Sequence, residues 1–232
     1  MKSTRLAFKF QIASFTILLQ SVVLAAEHPD SEIIEMHTSS KVSKTESLNL
    51  GFSGKDGPQA FDVKEFIYLQ PGQSLPILDI QVGGEIGVSG NKVVKKPWSS
   101  KSFESKGKVQ LVQYLAANRG AARQNKSFND SLIEKRFTSE ELDTTVIVHL
   151  ADTMAFLQGF VVKKIAKNKE KYQTINFVID DNGLGLERWG MKNKSCAIII
   201  LDANGKVLFA KDGPLSEIEI EKTIKLIENQ IS

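Results

Sequence analysis

The sequence predicts an α/β fold, a central mixed β-sheet flanked by helices and preceded by a β-hairpin extension. Three observations carry it. The β-branched runs KGKVQLVQYLA and DTTVIVHLA are separated by a helical pattern; a later hairpin, SCAIIILDANGKVLFAKDG, turns on Asn204-Gly205; and an amphipathic helix closes the chain. A strand, a helix and a second strand in the same sheet imply parallel pairing, and the hairpin adds antiparallel strands.

In chain order, GQSLPILDIQVGGEIGV alternates polar and apolar residues, which predicts a hairpin turning around Gly83-Gly84. Gly107 leads into the first buried strand, which is followed by a helix over Ala121 to Ile133. After the second strand Asp152 occupies an N-cap position, ahead of Met154, Leu157, Val161 and Ile165 at helical spacing and a lysine-rich end, KNKEK. INFVID forms a third strand that runs into DNGLG. The last helix opens on a capping box, Ser216 to Glu219, and places Ile220, Ile224, Ile227 and Ile231 on one face.

The regions before this domain read differently. Residues 1–26 carry Lys2, Arg5 and Lys9, then a mostly apolar run ending in VLAA, the pattern of a cleaved secretory signal; polar residues such as Gln11, Ser14 and Gln20 dilute it as a membrane span. Residues 27–68 are a polar leader or extension, rich in Ser, Thr, Glu and Lys to about Lys55, and a weak amphipathic pattern through Phe61, Val63, Phe66, Ile67 and Leu69 is a short strand or helix joining it to the domain. Residues 69–232 form the domain. Cleavage leaves 27 basic and 27 acidic residues, so the exported chain has no net field to draw nucleic acid or an anionic membrane. One cysteine, Cys196, cannot form an internal disulfide.

Gly72 with Pro76, Gly107-Lys108, Asp180 with Gly183, Trp189-Gly190, LDANGK and KDGPLS together resemble the thioredoxin-like superfamily in its peroxiredoxin and TlpA-like form. Within it, GKVQLVQYLAANRGAARQN, TTVIVHLAD and AIIILDANGKVLFAKDGPLSEIEIEKTI are most similar to the YtfJ family of small bacterial periplasmic proteins. The resemblance implies a secreted thioredoxin fold and little about activity. Aligning YLA with the strand end of a thioredoxin puts Arg119-Gly120-Ala121-Ala122 over the family's Cys-x-x-Cys. Disulfide exchange needs an attacking thiolate and a resolving thiol there, and these residues supply neither. The slot of the family's cis-proline falls on Cys196, or on Ser195 if the loop is one residue shorter; no proline lies between Met191 and Ile200.

The carboxyl ends of parallel strands gather at one edge of such a sheet. That edge collects Asn118, Arg119, Gly120, Ala121, His149 and Asp152, a candidate binding site for a small anion, a peptide or an envelope protein, with Arg119 beside a helix N-terminus and His149 as a second donor. The structural alternative makes Asn118 and Asp152 caps, Arg119 a solvated turn residue and His149 a satisfied sheet residue. Cys196 is a candidate thiol for peroxide or mixed-disulfide chemistry, or an inert residue buried beside AIII. Trp98, Phe103, Phe156 and Phe160 line a partner groove or fill core seams. The Asp180 loop has its glycine too early for an EF-hand, and no zinc spacing, serine elbow or phosphate loop is present, so no metal or cofactor is expected.

Overall fold

The computed structural model describes residues 69–90 and 92–231; the signal and leader assignments lie outside them. One seven-stranded sheet runs in the order β2-β1-β5-β4-β3-β6-β7. Its strands are β1 (Asp79–Ser89), β2 (Lys92–Ser99), β3 (Val109–Ala116), β4 (Leu142–His149), β5 (Ile175–Asp180), β6 (Cys196–Leu201) and β7 (Val207–Asp212). β3, β4 and β5 are parallel, β6 and β7 antiparallel, and the β1-β2 hairpin joins antiparallel to β5. The order β4-β3-β6-β7, with β6 reversed, is the thioredoxin-like core expected from the sequence.

β3 is buried at all eight positions, as a strand covered on both faces must be. Side chains alternate between two cores. On one face Leu111, Leu115, Val146, Val148, Ile198 and Ile200 meet three helices, α2 (Lys126–Lys135), α3 (Ala155–Lys171) and α5 (Glu217–Ile231). On the other, Val112, Tyr114, Ile147, Val178 and Ile199 meet Leu69, Leu78, Phe103 and Trp189. That second face is closed by the opening segment, a 3-10 turn at Ser100–Ser105 and the short helix α4 (Leu184–Arg188). Gly72 N donates to Val207 O and Val207 N to Gln73 O, which pins the opening segment along β7.

The capping box forms as read: Ser216 N donates to Glu219 Oε2 at 2.7 Å, and Glu219 N to Ser216 Oγ at 3.4 Å. Ile220, Ile224 and Ile227 are buried beneath it.

Three local expectations are corrected. Gly83-Gly84 is not the hairpin turn; both residues lie inside β1, which ends at Ser89 and is followed by Gly90. Each has positive φ, 91° and 78°, at the irregularity that interrupts the β1-β2 register between Ile80 and Glu85, where the other edge of β1 pairs β5. A Cβ at Gly83 would stand 2.5 Å from Ile179 O, and one at Gly84 would enter the Lys96 carbonyl, so the glycines permit the close approach.

The helix expected over Ala121 to Ile133 is two helices, α1 (Arg119–Gln124) and α2, broken at Asn125. The buried Asn125 amide donates to Cys196 O at 3.0 Å and Gly213 O at 3.1 Å, and its Oδ1 accepts from Leu215 N at 3.0 Å. Those bonds to β6 and to the entry of α5 outweigh one more turn of helix.

Asp152 does not cap α3, which starts at Ala155 after Met154; Asp152 Oδ1 instead accepts from Asn193 Nδ2 at 2.8 Å, joining two loops of the sheet edge.

Asn125→Ala leaves the buried Leu215 N–H and Gly213 carbonyl without this partner, and is expected to cost about 2–4 kcal/mol. Urea unfolding of the variant against the parent measures it, with the denaturant slope unchanged.

Candidate functional site

The edge expected from the sequence forms, in part. Parallel register sets Ala116 beside His149, and Ala117 N donates to His149 O at 3.2 Å, so the ends of β3 and β4 meet. Asn118 caps α1, its Oδ1 accepting from Ala121 N at 2.9 Å. Ala121 and Ala122 are buried against the helical-side core, Gly120 is exposed, and Arg119 is half-buried. Arg119 lies close enough to Lys164 of α3 to help lower that lysine's pKa, after the larger effect of burial and together with Lys167.

His149 is not part of this turn. Its ring is 1% exposed and turned to the opposite face, stacked on Tyr114 with centroids 5.4 Å apart and planes 15° from parallel. Neither ring nitrogen has a hydrogen-bond partner. Burial pushes its pKa below the usual imidazole range, against the opposing pull of Asp152, Asp180 and Asp212. Asn118, Arg119, Gly120 and Ala121 are therefore brought together, while His149 lies behind the sheet and Asp152 serves the loop contact.

Sequence reading missed the polar group around His149. Tyr114 Oη donates to Asp180 Oδ2 at 3.0 Å; the same carboxylate accepts from Gly185 N at 2.9 Å, and its Oδ1 from Leu184 N at 2.9 Å. Burial, then the Asp180 charge, push the Tyr114 phenol well above its usual range, which keeps it a donor. A side chain at Gly185 would run into the Tyr114 ring. Asp212, also buried, accepts from Lys192 N. The available signal was a tyrosine and an aspartate inside otherwise aliphatic strands, but no spacing relates residues so far apart in sequence.

Cys196 is 1% exposed and lies in the helical-side core, paired across the ladder with Leu115. Burial pushes its thiol up to about 12, the bond with Asn125 lowering it only in part. Its backbone N donates to Gln124 Oε1 at 2.9 Å. Ser195 Oγ donates to the same oxygen at 3.2 Å, and Ser195 O accepts from Ala116 N, so both candidates for the proline slot stand against α1 and the end of β3.

Of the four aromatic residues singled out, Trp98 and Phe103 fill the second core in an edge-to-face pair, 5.4 Å between centroids. Phe156 and Phe160 instead stand exposed on α3, 77% and 48%, beside Met154 at 65%. Among the described residues no group of three or more His, Cys, Asp or Glu could hold a metal ion, and no helix is long and apolar enough to cross a membrane.

The strand order and the cysteine-free α1 turn define a thioredoxin-like domain without the superfamily's dithiol. A family model described as "Bacterial protein of unknown function (YtfJ_HI0045)" matches residues 69–230, and the chain belongs to that family. An uncharacterized protein of Haemophilus influenzae is 36% identical over 159 residues, 68% of this chain and 85% of the relative. The uncharacterized protein YtfJ of Escherichia coli K12 is 28% identical over the same coverage, 68% and 85%. Among solved structures, a thiol-disulfide isomerase from Corynebacterium glutamicum is similar with a TM-score of 0.47 and 11% identity, over 68% of this chain and 96% of that one. The thioredoxin domain of a thiol-disulfide oxidoreductase from Bacteroides vulgatus gives 0.43 and 18%, over 68% and 97%.

His149 links stability to pH. Because the fold holds the imidazole neutral, its contribution is complete above the unfolded pKa of about 6.5 and drains away as pH falls from there toward the lowered folded value, by up to about 1.4 kcal/mol per pH unit. Urea unfolding from pH 8 to pH 5 should show this slope in the parent and a shallower one in His149→Gln; parallel curves would assign the acid sensitivity to other groups.

Proposed function

We propose that this protein is a non-redox binding or accessory protein of the cell envelope, exported to the periplasm by residues 1–26 and built on a thioredoxin scaffold. The observation that carries it is the placement of the only sulfur nucleophile. Cys196 is sealed in the core with its thiol pushed up to about 12, while the solvent-facing start of α1 holds Asn118, Arg119 and Gly120. A reactive thiol needs the reverse, an accessible site with neighbouring positive charge. Asp212 is the charged neighbour acting on Cys196, and it opposes thiolate formation.

Binding suits what the α1 turn offers. Asn118 holds the turn rigid, and Arg119 and Lys164 concentrate positive charge beside it. A thioredoxin-like edge with its cysteines replaced keeps the meeting of loops at the strand ends and has no dithiol for electron transfer. The ligands that fit are an anionic small molecule, an acidic peptide or a segment of an envelope protein; no cofactor enters this reading.

Iodoacetamide labelling followed by intact mass tests it. The exported chain should take no label at Cys196 under native conditions and one label after denaturation in guanidinium. Rapid native labelling would restore the competing reading, a thiol enzyme working through Cys196.

A further inference from the structure

Helix α3 turns two kinds of side chain to solvent along one stripe. Phe156, Phe160 and Lys164 follow at four-residue spacing, with Lys163 and Lys167 on the same side. The opposite side, Val161 and Ile165, is spent on the core, so the stripe is free of that role. Its N-terminal end is apolar: Phe156 and Met154 are more exposed than any large hydrophobic side chain needs to be in a helix already packed on a sheet, and Phe160 is about half exposed. Gly159 lies between the two phenylalanines, exposed, with open space where a Cβ would stand. Helical glycine costs roughly 0.5–1 kcal/mol against alanine, and nothing in the fold requires it there. It leaves a notch in which another backbone can approach.

The far end of the stripe is cationic and uncompensated. Lys163, Lys164 and Lys167 have no carboxylate at ion-pair distance among the described residues; ion pairs there engage lysines such as Lys126, Lys135 and Lys211. Arg119 of the α1 turn adds its charge beside Lys164, whose lowered pKa reflects burial and this crowding of like charges.

We propose that this stripe, Met154, Phe156 and Phe160 running into Lys163, Lys164 and Lys167 beside Arg119, is the docking face for an acidic peptide segment of another envelope protein, with two apolar side chains seated around Gly159 and carboxylates over the cations. The proposal rests on the binding reading above and names its partner chemistry. Aromatic anchors in an interface centre with charge at the rim are the usual division of labour in such contacts. The charge pattern selects the occupant. A second copy meeting this stripe with its own stripe sets three lysines against three lysines, with Glu170 at the far end as the one carboxylate of α3, so like charges dominate that contact. A lipid surface is met by a long apolar face and a net positive protein, whereas here the apolar part is two turns and the exported chain is neutral.

The test is selection of a phage-displayed random dodecapeptide library on the exported chain, followed by binding of the enriched synthetic peptide to parent, Phe156→Ser/Phe160→Ser and Lys164→Glu. Both variants change surface side chains, and circular dichroism checks that each is folded. The expected result is enrichment of peptides combining Asp or Glu with apolar residues, a loss of affinity of roughly tenfold or more in each variant, and weakening with salt. Enrichment of basic or charge-free peptides, no enrichment, or equal binding by both variants overturns the proposal. So does sedimentation of the parent, but not the double-serine variant, with phosphatidylglycerol vesicles, or a dimer in analytical ultracentrifugation that the same variant abolishes. Failure here leaves the native protection of Cys196 untouched, whereas failure of the non-redox reading appears as native labelling of that thiol.

Discussion

A carboxylate with no exposed surface organises the end of the sheet where β3, β4 and β5 finish. Asp180 ends β5 inside the protein, and a buried carboxylate is tolerable only when donors surround it. Tyr114 from β3 and the two backbone N–H groups at Leu184 and Gly185 provide them. Much follows from that arrangement. Gly183 takes positive φ to bring α4 back over the carboxylate, Gly185 stays without a side chain because the Tyr114 ring fills the space, and the chain then delivers Trp189 to the second core, where its Nε1 donates to Pro76 O at 2.8 Å. The same packing leaves His149 buried and stacked on Tyr114. An imidazole at the carboxyl end of β4 is thereby committed to the interior.

The other side of the sheet has a comparable fixture in Asn125. One amide holds the start of β6, the turn after β7 and the entry of α5, and breaking the helix there leaves α1 as a separate short helix. Here it presents an arginine and a glycine over two buried alanines, while the lone thiol sits beneath it on the core side of β6. Cations stand at the α1 turn and along α3, where they run on from exposed aromatic side chains.

Much of the fold could be read from the sequence because its signals are local. Asn204-Gly205 marks a tight turn, Ser216 and Glu219 form a reciprocal cap, and Val-Ile-Val runs announce buried strands, each needing only near neighbours. The errors arose where a distant partner decides. Gly83-Gly84 reads as a turn, but its use as a bulge depends on β5 and on the Lys96 carbonyl. Asn125 reads as an ordinary helix residue until β6 and the loop after β7 arrive. Asp152 has the composition of a cap, and Asn193 claims it. For the site, Asn118 and the cysteine-free turn were visible, being contiguous. The Tyr114-Asp180 pair was not, and neither was the division of the aromatics into buried Trp98 and Phe103 and exposed Phe156 and Phe160, which depends on what packs over each face.

The central claim, a thioredoxin scaffold whose redox pair has been replaced, is tested most directly by following insulin disulfide reduction with dithiothreitol as electron donor. The parent chain and Arg119→Cys/Ala122→Cys are compared, each also oxidised with glutathione disulfide and weighed. The parent should reduce no insulin above the dithiothreitol background, and the double variant should form an internal disulfide across the first turn of α1, showing that those positions are the dithiol positions of the fold. Turnover by the parent that disappears on Cys196→Ala would contradict the claim.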